Sequence, residues 1–330
     1  MQEFPSVSFI IFGYNQERFI DAAIEGALAQ DYPHLEIILS DDCSSDDTFA
    51  RMEAAARQYE GPHRVKAMRS PANAGTLAHV YRAAGIATGD LLVLAAGDDV
   101  SRPDRVAVTA RRWLETNAAA LFSTYDIIDD DGALLVRGYR FDHSWLPYQA
   151  YFPDQPVTPI HGASSAYDRR TLLAIPCPDV PIVFEDAFFT LMLLSAGKRI
   201  AFIDQPLVNY RRHDDSTTNA RAPSGDLATI TRLEQVAQRR AAQFGAVLEH
   251  FREAIRRYPP ATRIDTAPLD RDIAFYRYRA RWLDASLVTR LQALSGIRRR
   301  ADRRWAVARV LGLKPYFWLR SLQQAVRHRR

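Results

Sequence analysis

The stretch Leu91–Val106, LLVLAAGDDVSRPDRV, decides the fold. Leu91 to Ala96 form an aliphatic run, the pattern of a strand covered on both faces rather than one with a wet side. The run empties into two adjacent acids, Asp98 and Asp99, and then into a helix start. Open α/β sheets bind their ligands at the carboxyl ends of their strands, which is where these acids fall. Two neighbouring negative charges repel, and a divalent cation held by phosphate is a partner that offsets them. An Asp-rich turn capping the next helix is the competing reading of the same residues.

The alternation extends to either side. Val7–Phe12 reads as a buried strand, and Ile20, Ala23, Ile24, Ala27 and Leu28 recur at helical spacing behind it. Leu35–Leu39 is a second strand ending at Asp41 and Asp42, followed by capping Ser and Asp residues and an Ala-rich helix up to Tyr59. Val65–Met68 predicts a third strand, Asn73–Ala87 a helix, Leu91–Ala95 a fourth strand and Asp104–Thr116 a helix. Such alternation with short connections predicts a mostly parallel sheet with helices on both faces. The rhythm then changes. Residues 119–136 predict a hairpin turning at Asp131 and Gly132, and the aromatic, Pro-rich residues 139–160 a surface loop. GASSAYDRRTLLAI (162–175) follows as a strand and short helix, EDAFFTLMLLSAG (185–197) as an amphipathic helix, and RIAFIDQPLVNYRRHDDSTT (199–218) as a strand pair. From Ala222 the pattern is helical, with one helix expected over 226–258. The domains predicted are therefore residues 1–220 and a helical C-terminal extension, 221–330.

Two cysteines, Cys43 and Cys177, are too few for a disulfide framework and have no metal-ligand spacing, which fits a reducing cytosol. No apolar run reaches the roughly 20 residues of a membrane span, and MQEFPSVSF lacks the features of a secretion signal. A cytoplasmic chain, soluble or peripheral on the inner face of the cell membrane, is the expectation. The net charge of +4 is unevenly spread, because residues 296–330 hold ten Arg and one Lys against a single acid, Asp302. Aromatic and aliphatic residues interleave these charges, the composition of a helix lying on an anionic membrane surface. Nucleic-acid binding, or a solvated face folded onto the acidic remainder, are the weaker readings.

Six segments, in their order, resemble the family 2 glycosyltransferases of inverting type with the GT-A fold. They are VSFIIFGYNQERF (7–19), SDDCSSDDT (40–48), NAG (73–75), AGDDVSRPDR (96–105), FED (184–186) and YRRHDDS (210–216). The resemblance implies transfer of a sugar, with inversion, from a nucleotide-diphosphate donor to a hydroxyl of a glycan or lipid-linked acceptor, in cell-surface polysaccharide synthesis. It also implies a cation, Mn2+ or Mg2+, to take up charge on the leaving diphosphate, and a carboxylate to accept the acceptor's proton.

By that resemblance, Tyr14, Glu17, Asp42, Asn73, Gly75, Asp98, Arg211 and Arg212 contact the nucleotide sugar, with Asp42 accepting from the N–H of a uracil or thymine, hence a UDP- or dTDP-sugar. Asp186 is the base, with Glu185 steering beside it, and the helix start is expected to favour their charged forms. His161 and Gly162 adjoin the acceptor, and Trp145, Tyr148, Tyr151 and Phe152 offer rings for its sugar faces. Many members carry an acid where this chain has Ala96, so Asp99 is read as the metal ligand, Asp98 as a ribose partner or further ligand, and His213 as completing the site. A catalytically impaired sugar-nucleotide-binding or scaffold subunit is the alternative that Ala96 favours. A nucleotidyltransferase is the third, and FGYNQERF lacks the Gly-rich, basic phosphate loop it would need.

Overall fold

The computed structural model describes residues 4–33, 35–140, 147–213, 227–297, 299–313 and 315–316. The chain divides into two compact units, residues 1–216 with 257–264, and residues 217–256 with 265–330.

The first unit opens with β1 (Val7–Gly13), α1 (Ile20–Leu28), β2 (Glu36–Asp41), α2 (Thr48–Gln58), β3 (Arg64–Arg69), α3 (Thr76–Ile86) and β4 (Leu91–Ala96). The four strands pair in parallel in the order β3-β2-β1-β4. Every residue of β2 is buried, as are the first five of β4, so both sheet faces are covered and the continuous aliphatic runs are explained. The core of this half gathers Phe9, Ile11, Ile37, Leu39, Leu91 and Val93 with Ile20, Ile24 and Ala27 of α1.

A short β5 (Val100–Ser101) and α4 (Arg105–Thr116) precede β6 (Ala120–Ile128), which is buried along its whole length, and the exposed β7 (Leu134–Tyr139). β8 (Ser165–Asp168), α5 (Arg169–Ala174), α6 (Glu185–Ser195) and β9 (Ile200–Arg211) complete the unit. The nine-stranded sheet runs β3-β2-β1-β4-β8-β6-β9-β5, with β7 paired to β6 as the expected hairpin. β8 lies antiparallel to both β4 and β6, and β6 runs parallel to β9. The architecture is the mostly parallel mixed sheet with helices that the alternation predicts.

Three expectations change. Residues 199–218 do not form a strand pair: their described part holds one long strand, β9, whose register with β6 slips between Ser123↔Ile203 and Thr124↔Pro206. Pro206 donates no N–H, and the irregularity absorbs that loss within one strand. The helix α6 is not amphipathic, since Ala187 to Ser195 are all buried; AFFTLMLL is a core helix. In the loop at 139–160, Tyr148, Tyr151 and Phe152 are almost wholly buried. They pack the interior and offer no face to a sugar. Trp145 lies outside the described residues.

The amino-terminal sheet edge closes on itself. Burial would raise the Glu36 carboxyl, but hydrogen bonds from Ser8, the Thr88 N–H and Lys66 outweigh it and bring the group down to about 2.

In the second unit, α7 (Leu227–Arg257), α8 (Thr266–Arg279), α9 (Leu287–Gly296) and α10 (Arg300–Arg309) follow one another. Residues 257–264 belong to the first unit, where Ala261 N donates to Ser195 O at 2.8 Å and Thr262 Oγ1 to Leu194 O at 3.1 Å.

Candidate active site

Three loops meet at the carboxyl edge of β1, β2 and β4. After β1 the chain turns at Asn15, whose positive φ of 52° is one that Asn tolerates. Asn15 N donates to Ser44 Oγ and Ser45 N to Asn15 Oδ1, which stitches this turn to the loop after β2. Glu17 joins the stitching by accepting from Asp47 N at 3.1 Å, so its carboxylate is engaged at the start of α2. Tyr14 is about half exposed (48 %) on the same turn.

Asp41 and Asp42 leave β2 with different duties. Asp41, fully buried, accepts from Ser44 and from Arg69 Nε at 3.3 Å. Asp42 accepts from the N–H groups of Ala74 and Gly75 at 2.9–3.1 Å, and Asn73 Oδ1 also takes the Gly75 N–H. The Asn73–Gly75 loop is thus wrapped round Asp42. Gly75 has φ of +77°, which explains a glycine there.

The two acids after β4 point apart. Asp98, partly buried, meets the buried His213 Nε2 at 3.0 Å. Asp99 is 2 % exposed; its Oδ1 accepts from Arg211 N at 2.8 Å and its Oδ2 finds no hydrogen-bond partner among the described residues. Burial, then the Asp98 charge, hold the Asp99 carboxyl well above the usual range, opposed by Arg211 and Arg105. Asp99 is therefore the more deeply buried acid and Asp98 the less buried one. Among the described residues, no three His, Cys, Asp or Glu side chains converge as a metal site.

Arg211 does not present an open fork. Its Nε donates to Asp98 O at 2.9 Å, its Nη1 to Asp129 O at 3.0 Å and Asp130 O at 2.7 Å, and it lies over Phe19. With three of its five N–H groups on carbonyls, this guanidinium braces the edge. Arg212 lies over the Tyr139 ring and is partly exposed. His161 is 7 % exposed and stacks on Tyr125 at 4.3 Å, edge-on to Tyr210, so its ring belongs to an aromatic cluster.

Glu185 and Asp186 open α6 against Gly162. Asp186 Oδ2 accepts from Gly162 N at 3.2 Å and Oδ1 from Ala187 N at 2.7 Å. A methyl group at residue 162 would meet Glu185 Oε1 at 2.6 Å, so only glycine leaves the carboxyl its place. Burial, and then the Asp186 charge, push Glu185 up to about 8. Burial raises Asp186 as well, against the Ala187 and Gly162 N–H groups. The helix start was expected to favour both charges; desolvation wins because α6 is enclosed on all sides.

Arg105 went unnoticed in the sequence, although it sits with Val106, Thr109 and Ala110 on the buried face of α4. Only 1 % exposed, it donates to Leu94 O, Ser101 Oγ and Ala163 O. Desolvation pulls it down to about 10 and Asp99 opposes this. Through Arg105, the end of β4 is tied to the turn that carries Gly162 and hence to Asp186. A second chain of bonds runs from Asp42 through Gly75 to α3, where Leu77 N donates to Ile182 O, three residues before Glu185. These hydrogen bonds link the loops that carry Asp42, Asp99 and Asp186.

This sheet, with its acids gathered at the carboxyl edge, is of the GT-A type. It is similar to a crystal structure of S. aureus TarS 1-349 in complex with UDP-GlcNAc, at TM-score 0.53 and 17 % identity over 88 % of this chain and 79 % of that one. The mannosyltransferase PcManGT from Pyrobaculum calidifontis, in complex with GDP-Man and Mn2+, is similar at TM-score 0.56 and 18 % identity over 98 % and 85 %. The profile of glycosyl transferase family 2 matches residues 8–173, and the chain belongs to that family. It is 26 % identical, over 65 % of its own length and 82 % of the relative's, to a Bacillus subtilis protein named for teichuronic acid biosynthesis as the glycosyltransferase TuaG. It is 31 % identical to the succinoglycan biosynthesis protein ExoO of Rhizobium meliloti, spanning 40 % of this chain and only 36 % of that relative.

Proposed function

We propose that this chain transfers a sugar, with inversion, from a UDP- or dTDP-sugar to a hydroxyl of a glycan or lipid-linked acceptor, on the cytoplasmic side of a membrane and in the synthesis of a cell-surface polysaccharide. The observation that carries this reading is the pair Glu185–Asp186 at the start of α6, seated on a side-chain-free Gly162 whose N–H Asp186 accepts. Asp186, whose oxygens accept from the Gly162 and Ala187 N–H groups, takes the proton of the attacking hydroxyl. Glu185, protonated below about 8, donates to the acceptor and leaves the charge of the pair at one.

The donor lies along the opposite part of the edge. Tyr14 stacks on the base, and Asp42 keeps lone pairs for the base N–H while it shapes the Asn73–Gly75 loop. Glu17 holds the Tyr14 turn by way of α2. Arg212 faces the diphosphate, whereas Arg211 braces Asp98 and Asp99 from behind. A divalent cation, Mn2+ or Mg2+, would supply positive charge to the departing diphosphate. A hard carboxylate oxygen of Asp98 and an imidazole nitrogen of His213, 3.0 Å apart, suit such an ion beside phosphate oxygens. Asp99 backs them from within and is not proposed as the ligand. Gly162 leaves room for the acceptor, and His161 fixes its loop through the Tyr125 stack.

Asp186→Asn tests the reading. It should keep the rise in melting temperature that a UDP-sugar produces with Mn2+ while losing transfer by about 100-fold or more, the usual share of a general base. Transfer at the parent rate would remove Asp186 from the role. Donor binding without transfer in the parent protein would instead favour the impaired, binding-only alternative that Ala96 raises.

A further inference from the structure

The C-terminal unit presents an outward surface of unusual make-up. On α10, Asp302, Trp305, Ala306 and Arg309 face inward. Trp305 packs edge-on to Phe275, Tyr278 and Trp282, and Arg309 pairs with Glu234 at 2.6 Å while lying over Trp305 and Tyr316. These contacts fix the helix rotation. Arg300, Arg303, Arg304 and Val307, at i, i+3, i+4 and i+7, consequently share the opposite, exposed face, with Leu311 exposed just past the helix end. None of the three arginines has an ion-pair partner among the described residues. On α9, Leu287, Val288 and Leu291 are likewise exposed, at 49, 63 and 53 %. Between Leu287 and Leu313 the sole acid is Asp302, and it is turned in toward Arg299.

Five exposed aliphatic side chains, with three arginines that have no ion-pair partner and no outward acid among the described residues of these two helices, match one partner in both respects. Acyl chains at a bilayer surface cover the aliphatic groups and anionic headgroups meet the guanidinium groups; a nucleic-acid duplex would leave the aliphatic residues wet. We propose that the outward faces of α9 and α10 form a docking surface for an anionic lipid bilayer. Arg309, paired with Glu234, takes no part, so the basic composition of the segment overstates the charge available.

This deepens the lipid-linked acceptor reading but does not depend on the base or the donor. The test is flotation of the full chain with phosphatidylcholine vesicles, with and without phosphatidylglycerol. Binding should require the anionic lipid. Arg300→Ala, Arg303→Ala and Arg304→Ala combined should lower the partition coefficient by about 100-fold, each basic residue near an anionic surface being worth about fivefold. Val307→Ser with Leu311→Ser should lower it severalfold in high salt, where screening leaves the apolar term. All changed side chains are exposed, so thermal melting should stay at the parent value. Equal flotation with neutral vesicles, no loss in the triple variant, or tighter binding to duplex DNA than to anionic vesicles would overturn the proposal. If it fails while Asp186→Asn behaves as expected, the transfer reading stands and membrane docking alone is lost.

Discussion

Replacing Glu185 by glutamine should remove a pH-dependent weakness from the fold. Glu185 titrates at about 8 in the folded protein and near its ordinary 4.5 once unfolded, because burial and the Asp186 charge oppose ionisation. Between those values the folded state holds a proton that the unfolded state releases, so stability falls as pH rises through the window and the loss is complete above about 8. The distance from 4.5 to about 8, at about 1.4 kcal/mol per tenfold, caps the loss at roughly 5 kcal/mol. The side chain keeps some contact with water and shares the repulsion with Asp186, leaving roughly 2–3 kcal/mol to Glu185 itself. Glutamine has nearly the same shape and carries no charge. Parent and variant should therefore have similar urea midpoints at pH 5, and the variant should gain roughly 2–3 kcal/mol by pH 9. Urea titrations followed by circular dichroism at several pH values measure the difference. A gap that stays constant or narrows between pH 5 and 9 would refute both the enclosure of Glu185 and the division of charge between the two acids.

Gly162→Ala should reduce transfer about 10- to 100-fold and stability by about 1–3 kcal/mol, since its new methyl group displaces the Glu185 carboxyl; unchanged turnover would show that the carboxyl need not sit there. Arg105→Met should cost about 3 kcal/mol in the same urea titration, because it removes a buried cation that opposes the raised Asp99 carboxyl. Part of that loss should return in the double variant with Asp99→Asn, and strict additivity of the two changes would deny their coupling.

The elements themselves were legible. Aliphatic runs at Val7–Phe12, Leu35–Leu39 and Leu91–Ala95 announce β1, β2 and β4 because a strand covered on both faces is apolar at nearly every position, Ser8 and Glu36 being the exceptions. That Asp42, Asp98, Asp99, Glu185 and Asp186 collect at one edge also follows from the order of elements, since each acid ends a strand or starts a helix. What periodicity cannot carry is where a particular side chain turns. Asp98 and Asp99 are adjacent in sequence, and only the approach of β9, bringing the Arg211 N–H and His213, makes one more deeply buried than the other. The acidity of Glu185 and Asp186, the consumption of Arg211 by carbonyls, and the burial of Tyr148, Tyr151 and Phe152 depend in the same way on partners distant along the chain. Local propensity acts between near neighbours in sequence, whereas desolvation and hydrogen-bond supply depend on everything that folding brings close.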